Sequence, residues 1–512
     1  MNKVILCGAI ALSIILSSCD EDTINLKPIG DTEATFYQDE VQMEQAAFGL
    51  YQKVSFFYAF RGGQNNSPMQ VFILPSDDLT SPGGGSFEVF QSLNGGNGQI
   101  GLYYQFAYQL IGRANTLLQK IEQNGDFAYK LKPEQKNWNK GEALFLRSYA
   151  FLNLWNVFGT APISIERITN LDNAYLPSSK GTELLDQAII DLEEAAKLLP
   201  DSWPNEYKGR VTKNSARALR GKCLVFRGSV NKTSGDFTAA ISDFNALQGV
   251  ALTSTYSKNF DVAFENNEES LFEYQANDIA GGTNPYVGGA GGNDAFSVIG
   301  EIGHWIGLFN QGPNWIGNSY VTTTASIMDA YEDGDPRKSY NINLETTSLV
   351  NVMKYVRNTA FVKNGPGDGI SINNPRILRY ADVLLLKAEA IVRSNGNLSE
   401  AIGLINQVRE RARNSAEDGT PSAVPADRST SESSSATVLE WIFQERRLEM
   451  AFEEGHRWWD LRRRHIAGEI DLTKHDFSST RTDFGFEAKH VYFPLPNREV
   501  NDNPNLNQNP GY

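Results

Sequence analysis

The chain has 512 residues, 41% of them apolar, which is ample material for a packed core. Its 61 acidic residues against 46 basic ones give a net charge of −15, which argues against nucleic acid and anionic membrane surfaces as partners. Of three cysteines only Cys223 lies beyond residue 19, so a mature chain has neither an intramolecular disulfide framework nor a cysteine-based zinc site.

The first legible element is N-terminal. Lys3 precedes an apolar run from Val4 to Leu16, too short for a membrane span, which needs about 20 apolar residues, and suited to a secretory signal. Leu16-Ser17-Ser18-Cys19 resembles a bacterial lipoprotein cleavage box. The expectation is a signal peptide over 1–18 and a lipidated Cys19, whose acyl chains (palmitate among them) anchor the body at residues 19–512. Asp20 to Asp22 ("DED") resembles the surface-export signal of Bacteroidetes lipoproteins.

Apolar spacing then predicts amphipathic helices over 41–57, 101–123, 133–157, 180–199, 213–231, 237–247, 376–394, 399–413 and 437–467. Strand-like stretches are few, "SLFEY" at 270–274 and "HVYFPL" at 490–495. The fold class is therefore mainly α. "GDFTAAI" (Gly235 to Ile241) and "GNLSEAI" (Gly396 to Ile402) each follow one helix and open another, the tetratricopeptide turn, with small Ala240 and Ala401 allowing close approach. Pairs 101–123 with 133–157 and 180–199 with 213–231 are expected on the same plan, giving scaffold segments 101–247 and 376–467. A loop-rich insertion over 248–375 interrupts them, and the low-complexity stretch 414–436 reads as a mobile loop.

Several kinds of chemistry are weak or missing. "GNGQIG" at 96–101 matches a dinucleotide fingerprint but lacks the βαβ unit that gives it meaning. The five histidines never take zinc-ligand spacing, and no Gly-x-Ser-x-Gly elbow occurs. Asp333 and Asp335 could offer oxygens to calcium, though a turn paired with Arg337 is the plainer reading. The run Arg446, Arg447, Arg457, Arg462, Arg463 and Arg464 is interleaved with acids at helical spacing and reads as internal ion pairing, with Trp458 and Trp459 in the core.

The order of "GEALFLRSYAFLNLWNVFGTAPI" (141–163), "RYADVLLLKAEA" (379–390), "FQERRLEMAFEEGHRWWDLRR" (443–463) and the closing "YFPLPNREVNDNPNLNQNPGY" resembles the SusD/RagB family of outer-membrane nutrient-binding lipoproteins, over essentially the whole mature chain. The resemblance implies one α-rich domain with four tetratricopeptide-like helix pairs and an irregular region carrying the ligand site. It further implies a non-catalytic role: capture of an oligosaccharide and delivery to a TonB-dependent SusC-like transporter. A peptide-binding relative and a protein–protein scaffold are the alternatives. Without that resemblance the proline-punctuated tail reads as a frayed terminus, whereas in the family it packs onto the body.

A glycan binder needs flat aromatic faces on loops, with amide and carboxylate groups for the hydroxyls. Two regions offer them: 75–96 with Asp77, Asp78, Phe87 and Phe90, and 284–320 with Tyr286, Trp305, Phe309, Asn314, Trp315 and Tyr320. These are the expected ligand contacts; no resident metal or cofactor is expected.

Overall fold

The computed structural model describes residues 32–512 except 34, 59–67, 82–84, 172, 277–320, 346–351, 356, 358–361, 366–367 and 480, and describes 362–365 and 368–371 by backbone alone. Helices of eleven residues or more are α1 (Glu40–Val54), α2 (Gly98–Ala128), α3 (Pro133–Phe158), α4 (Glu183–Leu198), α5 (Lys213–Asn231), α6 (Ser234–Asn245), α7 (Tyr380–Arg393), α8 (Leu398–Arg413), α9 (Ser435–Glu449) and α10 (His456–Ile466). Side-chain caps set several starts. Asn97 accepts from Gln99 N and Ile100 N ahead of α2, Asn397 does the same for α8, and Thr212 and Ser215 form a reciprocal capping box at α5.

From α2 to α9 each helix packs on the next, and α6 meets α7 across the insertion. The two tetratricopeptide turns join α5 to α6 and α7 to α8, and α3 packs most extensively on α4. The expected pairs α2 with α3 and α4 with α5 are both in contact, and α4 packs on α3 as well, so the helices form a continuous stack. Small residues allow the approach: a Cβ on Gly221 of α5 would stand 2.2 Å from the Phe244 ring of α6. One apolar cluster runs from Met43 to Leu506, and a second joins α7, α8 and α9.

Strands are short and pair antiparallel in twos: β1 (Leu79–Thr80) with β3 (Thr322–Thr323), β2 (Ser270–Glu273) with β6 (Arg376–Arg379), and β4 (Val362–Gly365) with β5 (Asp368–Ser371). The expected strand at 490–495 is instead a 3-10 turn (Ala488–Val491) followed by extended chain. The expected helix at 437–467 is two, because Phe452 (φ 64°) and Glu454 (φ 43°) turn the backbone left-handed between α9 and α10. The low-complexity 414–436 stretch is tied to α8: Arg409 Nε donates to the Ala426 carbonyl at 2.6 Å, Arg413 Nη1 to that of Pro425 at 2.8 Å, and Arg428 N to Asn406 Oδ1 at 2.8 Å.

The arginine run is internal. Glu449 meets Arg379 at 2.7 Å, Arg337 at 3.1 Å and also Arg411, while Glu445 meets Arg337 at 2.6 Å and Arg409 at 2.8 Å. Asp382 bridges Arg446 at 2.6 Å and Lys222 at 2.9 Å, and Arg463 grips Glu389 at 2.5 and 2.6 Å. Asp335 is spent on Arg337 at 2.8 Å, while exposed Asp333 reaches Lys338 at 3.4 Å. Cys223 is buried in α5, and Trp458 and Trp459 lie in the core.

The tail is docked. Phe493 N donates to Val157 O at 3.0 Å, and Asn509 Nδ2 donates to the carbonyls of Phe158 and Phe493 at 2.8 and 2.7 Å. Gly159 (φ 72°) ends α3 where the Tyr492 ring would lie 2.0 Å from any Cβ, so only glycine serves there.

Candidate ligand-binding face

Of the two regions expected to carry ligand contacts, 75–96 contributes β1, which pairs with β3 at Thr322–Thr323, just beyond the end of the other region. Leu79 pairs with Thr323 and Thr80 with Thr322, an antiparallel register between segments more than 240 residues apart in sequence. Thr324 locks the junction, its N–H donating to Asp78 O at 3.0 Å and its hydroxyl to Asp77 O at 2.6 Å. That hydroxyl also caps the short helix Ala325–Ala330.

The acids under this sheet are turned inward. Asp77 and Asp78 are each 2% exposed. Asp77 accepts from Arg457 Nε and Nη2, both at 2.7 Å, and faces His475 Nε2 at 3.2 Å. Asp78 accepts from Arg447 Nε at 2.8 Å, and Arg447 Nη2 also donates to Ser326 Oγ at 2.8 Å. Burial alone would raise Asp77, but Arg457, His475 and Arg447 outweigh it and hold the carboxyl well below its usual range. Burial raises Asp78, with Arg447 offsetting only part and the Asp77 charge adding to the rise. These carboxylates fasten the 75–81 segment to α9 and α10, so their charge is consumed internally.

The aromatics of the 75–96 loop are likewise internal. Phe87 packs on Phe493 with ring centroids 5.7 Å apart. Phe90, left-handed at φ 54°, sits among Trp458, Phe477, Phe486 and His490. Glu88 turns back to accept from Ser81 N at 2.7 Å and from the Thr80 hydroxyl, and burial raises its pKa. Asp77, Asp78 and Phe87, expected as ligand contacts, are each 2% exposed and turned toward arginines and core rings, so the geometry does not support that expectation. Tyr286, Trp305, Phe309, Asn314, Trp315 and Tyr320 lie outside the described residues.

Comparison with known proteins adds to this geometry. A family model described as the SusD family matches residues 310–512, and one described as starch-binding associating with outer membrane matches residues 83–228. The chain belongs to the SusD/RagB family. It is 26% identical over 453 residues to SusD-like protein P2 of Formosa agariphila, covering 81% of each chain. A laminarin-binding SusD-like protein shares its fold at TM-score 0.70, with 23% identity over 93% of this chain and 100% of that one. Surface glycan-binding protein A from Bacteroides thetaiotaomicron does so at TM-score 0.71, with 20% identity over 93% of this chain and 100% of the other.

In this SusD/RagB chain, sequence reasoning missed the residues that fasten β1 and β3 to the body. The threonines at 322–324 and the clamp of Arg447, Arg457 and His475 carried only one signal: "TTT" ending the aromatic insertion, a β-branched run suited to a strand.

Proposed function

We propose that this protein is a cell-surface lipoprotein, anchored through Cys19 in the outer membrane. It captures oligosaccharides on the face above β1 and β3 and passes them to a TonB-dependent SusC-like transporter. The reading rests on one observation above all: the clamped β1–β3 pairing, whose two strands border the Gly-rich 82–96 and the aromatic 284–320 stretches of the sequence. A scaffold needs no such aromatic segment. Family membership supports carbohydrate binding, since the laminarin-binding and surface glycan-binding proteins are built on the same fold.

Stacking dominates neutral-sugar recognition, because each hydroxyl hydrogen bond largely replaces one made to water. Trp305→Ala or Trp315→Ala should therefore weaken glycan binding by about 1–3 kcal/mol, roughly ten- to a hundredfold, and leave thermal unfolding nearly unchanged. Trp458→Ala should do the reverse and lower stability by about 3–5 kcal/mol, as that ring is 1% exposed. A glycan array read beside a reducing-end assay tests the class. Binding without cleavage supports it, and product released by pure protein transfers the case to a hydrolase. Normal binding by both loop variants moves the platform elsewhere.

A further inference from the structure

The most exposed large apolar side chains of the described residues stand together at the turn between α2 and α3. Leu131 is 79% exposed and Phe127 71%. They are not on a frayed tip. Between them Ala128 and Tyr129 are buried, with the Tyr129 hydroxyl donating to Asn139 Oδ1 at 2.9 Å. Tyr129 N donates to Gly125 O at 3.0 Å and Lys132 N to Tyr129 O at 3.1 Å. The turn is thus hydrogen-bonded to the body while its two apolar side chains are exposed, flanked by exposed Lys130 and Lys132.

The place where the N-terminal segment joins the body gives this turn a direction. Glu33, at the start of the described chain, pairs with Lys120 of α2 at 2.8 Å and with Arg167 at 2.7 Å. Four residues on, the Tyr37 carbonyl accepts from Asn124 Nδ2 of α2 at 3.4 Å. Lys120, Asn124 and Phe127 follow one another along the last turns of α2, so the point of attachment lies roughly 10 Å along that helix from the tip. Apolar Ile168 and Leu171, on the loop carrying Arg167, are exposed too. The stretch from Cys19 to Thr32 spans at most roughly 45 Å even fully extended.

We infer that the Phe127–Lys132 turn rests in the lipid surface of the membrane that holds the anchor, with Phe127 and Leu131 inserted at the headgroup level and Lys130 and Lys132 facing lipid phosphates. This rests on the lipid-anchor reading of Cys19. The net charge of −15 opposes adsorption of the whole body to an anionic surface. The apolar pair supplies an attraction that does not depend on charge, and the two lysines make the local contact favourable. A second contact beside the lipid anchor fixes which face the protein turns to the membrane and which it leaves open to ligand.

Flotation of the body from Asp20 onward, lacking both the 1–18 signal and Cys19, with phosphatidylethanolamine–phosphatidylglycerol vesicles at millimolar lipid tests the turn without the anchor. The expected result is partial flotation that falls about tenfold in Phe127→Ser with Leu131→Ser. Lys130→Glu with Lys132→Glu should weaken it at low salt and leave it unchanged at high salt. Absence of flotation by this body, or equal flotation by its serine variant, overturns the inference. A photo-crosslinker at position 131 that captures an outer-membrane protein in cells, with no flotation on bare vesicles, assigns the turn to a protein partner and overturns it too. The mass of the native N-terminal residue reports acylation separately, so a failed anchor and a failed turn give different results.

Discussion

Two adjacent arginines in α10 show how differently one residue type can be used in a core. Arg463 and Arg462 are both fully buried. Arg463 lies between Glu389 and Asp460, and although burial opposes its charge these acids raise its pKa. Arg462 has no carboxylate among the described residues. Its guanidinium stands 4.8 Å from the Trp155 ring centroid and 4.7 Å from that of Tyr492, with Nε donating to Val491 O at 2.6 Å. Burial pushes it down to about 10, with Tyr492 offsetting part of the drop. Removing Arg463 leaves Glu389 buried with only Arg393, so Arg463→Met should cost about 3–5 kcal/mol. Arg462→Met gives up one hydrogen bond and two ring faces but relieves an uncompensated charge, and should change stability by about 1 kcal/mol or less. Urea unfolding of the two variants side by side measures the contrast.

Among the elements, the tail depends most on single polar side chains. Asn509 Nδ2 closes the carbonyls of Phe158 and Phe493, and Thr160 Oγ1 donates to Asn509 Oδ1 at 3.1 Å, all in a site where Asn509 is 5% exposed. Asn509→Ala leaves two carbonyls and a hydroxyl short of partners and should cost on the order of 2 kcal/mol by thermal or chemical unfolding, while Asn507→Ala, outside that pocket, should be near neutral. Helix existence was legible in the sequence because apolar spacing is local: 213–231 reads as α5 to the residue and 133–157 as α3 within one. The break between α9 and α10 was not, since "MAFEEG" keeps a helical pattern and only tertiary packing turns Phe452 and Glu454 left-handed. For the site, composition marked 75–96 and 284–320 as loops with ligand-type residues. Composition cannot say which side of a loop faces the core, and Asp77 is internal because Arg457 lies 380 residues away in sequence and next to it in space. Ion pairs of that separation leave no trace in spacing, whereas Arg393 with Glu389, four residues apart on α7, does.

For the molecule as a whole, the ionic belt sets a stability profile with two opposing limbs. Burial would raise Glu389, but Arg463 and Arg393 hold it at about 2 against an ordinary 4.5. A depressed carboxyl stabilises the folded state above its unfolded value, and the stability is lost as pH falls through the folded one. Glu389 alone therefore contributes on the order of 3 kcal/mol at neutral pH that disappears between about pH 4.5 and 2. Glu449 and Asp382, depressed by their own arginine and lysine partners against the pull of burial, add to the same loss. Glu454 works the other way. Buried in the turn between α9 and α10 and bonded to the Tyr58 hydroxyl, it is raised to about 8, chiefly by burial. The folded state keeps that proton while the unfolded chain releases it near pH 4.5, so Glu454 costs progressively more stability as pH rises from about 4.5 to 8. Glu454→Gln preserves the shape and the polar contact of the protonated acid but cannot titrate. It should be close to neutral at pH 5 and stabilising by a few kcal/mol at pH 8, which flattens the upper limb and leaves the acid limb in place. Denaturant midpoints of both proteins between pH 3 and 9 decide this. Equal displacement of the two curves at pH 5 and pH 8 would mean that Glu454 is ionised in the fold and that the Tyr58 contact holds a carboxylate instead.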